Sequence, residues 1–214
     1  MELDFTPFCF FDYGTHPPSP FSFASSGFTR WSSERSPTEV FHLLETLYGA
    51  FDKLAARRRV YKVETVGDCY VACTGVPKPD KNHALEMAKF AHECMSCLEV
   101  VLASLERALG PETRQLNMRI GLHSGQVLAG VLRGERRRFQ LFGDTMNTAS
   151  RIEHGGAPGR IHLSESTANK LREAGKKGWL VKREEKVHAK GKGELTTFWL
   201  ECKESSVGSD VSAF

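Results

Sequence analysis

Tyr61-Lys-Val-Glu-Thr-Val-Gly-Asp-Cys-Tyr-Val-Ala-Cys-Thr74 consists of two alternating segments joined at Gly67-Asp68. That pattern predicts a β-hairpin whose tight turn presents a carboxylate. Alternation sets Tyr61, Val63 and Thr65 on one side of the first strand and Lys62 and Glu64 on the other. Glu64 is then a second carboxylate on the polar side, four residues before Asp68. Aspartate is also common in turns for local backbone reasons, so a plain surface hairpin fits this stretch equally well. A second polar cluster, later in the chain, weighs against that reading.

Upstream of the hairpin, Ser36-Pro37-Thr38-Glu39 is a capping box with proline at the first helical position. Val40, Leu43, Leu44, Leu47, Phe51 and Leu54 follow at helical spacing, predicting a helix to about Arg57. Downstream, Pro77 to Lys81 reads as a loop and a longer helix runs from about Asn82 to Leu109, ended by Gly110-Pro111. Two more alternating segments, Asn117 to His123 and Gln126 to Val131, flank Ser124-Gly125 and read as a second hairpin. A basic loop from Arg133 to Arg138 leads to a short strand, Phe139 to Phe142. Gly143-Asp144 then opens a helix with Asp144 as its expected N-cap. A small strand at Arg160–Leu163, a helix capped by Ser164, and two strand-like segments around Lys190-Gly191-Lys192-Gly193 complete the chain. The order is a split βαβ pattern: an α+β, ferredoxin-like fold in which an antiparallel sheet packs two helices on one face.

A chain of 214 residues with 40% hydrophobic content supports one core with loose ends. The expected division is an irregular segment at 1–26 replacing or interrupting the first strand, a catalytic domain at 27–203, and a disordered tail at 204–214. A net charge of +3 is too mild for a nucleic-acid binder, and no aromatic-rich strand pair of the RNA-recognition type is visible. The runs Arg57-Arg58-Arg59 and Arg136-Arg137-Arg138 read first as solvated faces and second as phosphate contacts. The six cysteines show no disulfide framework, and Cys94-x-x-Cys97 has no second pair to complete a zinc site. They are expected as reduced, mostly buried thiols. The acidic start, Met1 to Asp4, is unlike a signal peptide, and no apolar run approaches the ~18 residues that span a bilayer. The expected setting is cytoplasmic, either as a free domain or as the cytosolic part of a larger membrane or sensor protein.

Asn147 and Arg151 stand at i and i+4 on the helix opened by Gly143-Asp144, so an amide and a guanidinium share one face near a helix N-terminus. With Asp68, Arg119 and the glycine-flanked Lys190, this is an inventory suited to phosphoryl chemistry, where catalysis is positioning and charge neutralisation. Mg²⁺ binds such sites through one or two carboxylates plus substrate phosphates.

Tyr61 to Tyr70, Met118-Arg-Ile-Gly-Leu-His-Ser-Gly125, Leu141-Phe-Gly-Asp-Thr-Met-Asn-Thr-Ala-Ser-Arg151 and Lys190-Gly-Lys-Gly193 resemble the motifs of class III nucleotide cyclases. Gly27-Phe-Thr29 fits the same family, and the match covers about residues 27 to 201. The resemblance implies attack of a nucleoside triphosphate's ribose 3′-hydroxyl on its own α-phosphate, with release of pyrophosphate and two Mg²⁺ or Mn²⁺ ions held by two aspartates. It assigns Asp68 to the metal and Arg119 to the phosphates. Asn147 and Arg151 are assigned to the ribose and the pentavalent transition state, and Lys190, or failing it Lys192, to the terminal phosphates. Asn147, Arg151 and the lysine come from the opposite subunit in this family, which implies a homodimer, or a heterodimer with another cyclase chain. Base choice falls to Glu64 and Gln140: the glutamate suits the N1–H and 2-amino donors of guanine, while a glutamine serves either purine. GTP is therefore favoured and ATP is the alternative. The family's first metal aspartate has no counterpart at its expected place, where Phe23-Ala24-Ser25-Ser26-Gly27 puts Ser25. Phe10-Phe11-Asp12 resembles the missing strand, with Asp12 as the ligand and 13–26 as an insertion. The second reading is a catalytically impaired cyclase-homology module for dimerisation or regulation.

Overall fold

The computed structural model describes residues 2–10, 27–76, 78–132, 138–189 and 193–202. The core is built on two long helices, α2 (Pro37–Arg58) and α3 (His83–Leu109). The capping box predicted for α2 is complete: Ser36 accepts from the Glu39 backbone N–H, and the Glu39 carboxylate accepts from the Ser36 N–H at 2.9 Å. A short helix, α1 (Gly27–Ser33), precedes it and buries Phe28 and Trp31, whose indole N–H donates to Thr113 at 3.2 Å. The apolar stripes of α2 and α3 meet Tyr70, Ala72, Ile120, Leu122 and Leu163 of the sheet in one continuous cluster.

The sheet is formed from β1 (Glu2–Phe10), β2 (Tyr61–Val66), β3 (Cys69–Thr74), β4 (Ile120–Leu122), β7 (Ile161–Ser164), β11 (Thr197–Leu200) and β8 (Leu180–Lys182). Their order is β2-β3-β1-β4-β7-β11-β8. β5 (Gly125–Leu132) also pairs with β1 and, on its other edge, with β6 (Arg138–Phe142). Pairing is antiparallel except between β4 and β7, which run parallel, so the wholly antiparallel sheet expected from the sequence is in fact mixed. β9 (Val187–Ala189) and β10 (Gly193–Leu195) form the separate hairpin expected on either side of residues 190–192.

Two expectations about strands are corrected. First, β4 and β5 are not a hairpin. Both pair antiparallel with β1 in one unbroken register, Phe10 to Phe8 against Ile120 to Leu122 and then Phe5 to Glu2 against Gly125 to Leu128. The interruption at 123–124 falls opposite Thr6 and Pro7, where proline has no N–H to offer a partner, so Ser124-Gly125 marks a break in one ladder rather than a reversal. The hairpin here is β5–β6. Second, the segment expected to be irregular, in which Phe10-Phe11 resembles the start of the missing strand, contains β1, held between β3 and β4. Residues 11–26 and 204–214, where the insertion and the tail were expected, lie outside the described residues.

The helices do not all lie on one face. α4 (Asp144–His154) crosses the side opposite α2 and α3, against Gly121, which alternates with the core-facing Ile120 and Leu122. α5 (Glu165–Glu173), capped by Ser164 as predicted, joins α2 and α3 through Ala168 and Leu171.

Candidate active site

The β2–β3 hairpin turns as its sequence demands. Gly67 has φ 59°, while Asp68 is not among the described residues of positive φ, the sign pattern of a type II′ turn with glycine first. Asp68 stands part-exposed at the tip. The two sides of β2 are not those of simple alternation. A bulge between Lys62 and Glu64 inserts Val63, so that Lys62 pairs with Ala72 but Glu64 with Val71. One extra residue inverts the facing of everything beyond it. Lys62 therefore turns toward α2, where its ammonium meets Asp52 at 2.8 Å, and Glu64 is exposed on the other side. That other side carries a small second core of Cys73, Val76 and Val127, against which Tyr61, Val63, Phe139, Leu141 and Met146 pack. Tyr61 and Phe139 meet edge to face at 5.2 Å, bringing β6 alongside β2. Position 140 lies on β6 opposite Gly130, so the two positions assigned to base choice belong to neighbouring strands.

Arg119 precedes β4 on the α4 side of the sheet. It is part of a largely buried ion pair rather than a surface one. Its Nε donates to Glu153 Oε1 at 2.9 Å, with the two side chains 12% and 2% exposed. The second Glu153 oxygen lies 3.1 Å from His154 Nδ1, which also meets the Ser150 carbonyl at 2.7 Å. An interior carboxylate needs such partners, because unpaired charge in a low-dielectric environment is expensive. Nothing in the spacing of Arg151-Ile152-Glu153 marks Glu153 as a partner of Arg119. The link is tertiary, and with it Arg119 is joined to the helix that bears Asn147 and Arg151. Asn147 is exposed and Arg151 half-buried on α4. The cap of α4 is Gly143, with Asp144 displaced to the first helical position, where its backbone carbonyl accepts from Thr148 at 2.9 Å. An acidic side chain there still complements the helix dipole.

The other predicted residues divide clearly. Arg57 and Arg58 are spent on Glu93 of α3, and Arg58 also reaches Glu86 at 3.5 Å, while Arg59 forms the left-handed cap of α2. That run ties two helices together. Cys73, Cys94 and Cys97 are buried free thiols. Burial pushes Cys73 up to about 12 and Cys97 up to about 11, which leaves both protonated. Asp12, Ser25, Arg136, Arg137, Lys190 and Lys192 lie outside the described residues. Among the described residues no three His, Cys, Asp or Glu side chains gather as a metal cluster. Among the described residues, Asp68 offers a part-exposed carboxylate at the turn. That suits a hard cation that arrives with a triphosphate and takes most of its oxygens from phosphate and water.

A mixed sheet carries a carboxylate-tipped hairpin and, across its open face, the polar helix α4. Comparison with known proteins gives the class. Residues 22–202 match the family "Adenylate and Guanylate cyclase catalytic domain", and the chain belongs to that family. Guanylate cyclase 2G of Mus musculus is 44% identical over 179 residues, 83% of this chain but only 16% of that protein, so this chain spans about a sixth of its relative's length. The guanylate cyclase domain of RhGC from Catenaria anguillulae, solved in complex with GTP, is 33% identical with a TM-score of 0.75, covering 95% of this chain and 100% of that one. The adenylyl cyclase CyaB from P. aeruginosa shares the fold with a TM-score of 0.80 at 21% identity, over 97% of this chain and 98% of that one. Among the described residues no helix is long and apolar enough to cross a membrane.

Proposed function

We propose that this chain is a guanylyl cyclase acting as a homodimer, converting GTP to a 3′,5′-cyclic nucleotide and pyrophosphate. The observation that carries this reading is Glu64, an exposed carboxylate on the open side of β2, four residues before the part-exposed Asp68 at the turn. A carboxylate at that place accepts from guanine N1–H and the 2-amino group, whereas adenine presents a bare N1 acceptor and would meet repulsion. Gln140 is compatible with both bases, so ATP is the alternative substrate.

In the reaction the ribose 3′-oxygen forms a bond to the α-phosphorus as its proton passes to solvent water. The bond from that phosphorus to the bridging oxygen breaks, and pyrophosphate leaves with the electron pair. Asp68, with Asp12 as its partner, would hold Mg²⁺ or Mn²⁺, which lowers the cost of the charge that develops on the phosphate oxygens. Phe10 pairs with Tyr70, two residues from Asp68, and Asp12 follows Phe10 by the same count in sequence. Arg119, whose Nε is held by Glu153, is the guanidinium assigned to the phosphates. Asn147 and Arg151, one turn apart on α4, steady the ribose and the pentavalent phosphorus of the other subunit's substrate. Lys190 holds the terminal phosphates. The expected setting is intracellular, as part of a longer protein of the receptor or soluble type.

The test is cyclic-nucleotide production from GTP and from ATP with Mn²⁺, comparing the natural chain with Asp68→Ala and Asp12→Ala. Preference for GTP, with turnover lost in either variant, is the expected result. Loss with Asp68→Ala but not Asp12→Ala removes Asp12 from the metal site. Turnover no higher than the Asp68→Ala blank with both nucleotides would leave the second reading, a dimerisation module, which Ser25 at the family's first metal position favours.

A further inference from the structure

The hairpin that ends in Asp68 is fastened from beneath by one side chain. Asp52 lies on α2 and reaches both strands of the hairpin. Its Oδ1 accepts from the Tyr70 hydroxyl on β3 at 2.7 Å, and its Oδ2 accepts from the Lys62 ammonium on β2 at 2.8 Å. The Lys62 ammonium also lies 5.0 Å from the centre of the Tyr70 ring, which closes a triangle of contacts. Tyr70 itself is fully buried, edge to face with Phe51 at 5.7 Å. One helical turn before Asp52, Tyr48 packs its ring 5.6 Å from that of Tyr70, and its hydroxyl points to the Gly67 carbonyl at 3.5 Å, in the residue before Asp68.

A packing role alone does not account for this arrangement. Phenylalanine at position 70 would fill the same space without a hydroxyl to satisfy, and a buried hydroxyl earns its place only when it has a well-placed acceptor. What a closed polar network adds is a single geometry. Asp52 fixes the lateral position of both strands at once, so the two-residue turn beyond them cannot slide or twist against α2. The Val63 bulge turns Lys62 toward α2, which is what lets its ammonium reach Asp52 beneath the hairpin.

We propose that Asp52 is a positioning residue for the Asp68 carboxylate, acting through Lys62 and Tyr70 with Tyr48 at the turn, and that it thereby sets the affinity for the divalent cation. This rests on Asp68 being the metal ligand, as in the function proposed above.

The experiment measures Mn²⁺ binding by the signal of free Mn²⁺ in electron paramagnetic resonance, with a non-cyclisable GTP analogue present. The variants are Asp52→Asn, Tyr70→Phe and Asp68→Ala, with Ser36→Ala as a control that weakens the same helix at its far end. Thermal unfolding is followed in parallel. Removal of a group that orients a metal ligand typically weakens metal affinity about 10- to 100-fold. Asp52→Asn is expected at about the lower end of that range and Tyr70→Phe in the same direction. Ser36→Ala should unfold more easily yet bind Mn²⁺ as the natural chain does. Affinity in Asp52→Asn within about twofold of the natural chain, a threshold well below that range, overturns the proposal. So does an equal loss in Ser36→Ala, which would make the effect one of general stability. If Asp68→Ala leaves Mn²⁺ binding unchanged, the metal assignment fails first and this proposal falls with it.

Discussion

His162 is buried between Trp199 and the end of α4 with its two nitrogens unequally served. Nδ1 donates to the Ile152 carbonyl, which fixes the neutral tautomer, while Nε2 has no partner among the described residues. Burial, opposed only in part by that bond, lowers it from 6.5 to about 4. The unfolded chain takes up the proton below 6.5 and the folded chain only below about 4, so stability is full above 6.5 and drains away between those limits. The loss by pH 4 is about 3 kcal/mol, and His162→Gln should flatten that limb of a urea-denaturation series taken from pH 7 to pH 4. Sequence supplied this residue's chemistry but not its setting. Glu64 is the opposite case: its alternating strand was legible, but the Val63 bulge that separates it from Lys62 was not, because a bulge is a mismatch between two strands and leaves no mark on either one.

At the scale of elements, Gly121 limits how closely α4 can lie on the sheet. A Cβ there would sit 2.4 Å from the Glu153 nitrogen and 2.5 Å from its Cα, both backbone atoms of the helix. Gly121→Ala must therefore push α4 away. We expect a destabilisation of about 3 kcal/mol in urea unfolding, at the upper end of what overpacking costs. Cyclase activity should fall further than stability does, because the displaced helix carries Asn147 and Arg151 and its Glu153 anchors Arg119. The existence and type of α2, α3, α5 and the first hairpin followed from periodicity and caps, which are local. The second hairpin did not survive: Ser124-Gly125 has the composition of a turn, yet β1 holds both flanking segments in one register.

The molecule as a whole presents one helical face, formed by α2, α3 and α5, and one open face bearing Glu64, α4 and the β5–β6 hairpin. Leu128 and Phe142, paired across that hairpin, are 55% and 44% exposed. If the proposed homodimer forms with Asp68 of one protomer serving the same site as Asn147 and Arg151 of the other, two inactive variants should complement. Mixing equal amounts of Asp68→Ala and Asn147→Ala and letting subunits exchange gives heterodimers in half the population, each with one intact site of two. Activity about a quarter of the natural homodimer is expected, since closed two-fold symmetry makes the two sites equivalent. No recovery would place the whole site in one chain.

The order of the residues was enough to identify an α+β domain, its two long helices, the carboxylate-bearing turn and the residue types suited to a purine triphosphate. Caps, turns and periodicity act within a few residues, and chemistry is read from side-chain identity. Only the tertiary structure decided that Glu2–Phe10 is a strand of the sheet, that β4 and β5 share its edge, that Glu153 holds Arg119 and that Asp52 spans the hairpin. Each of those joins residues far apart in the chain. Such contacts are selected by how the packed whole satisfies its polar groups, so no window of sequence contains them.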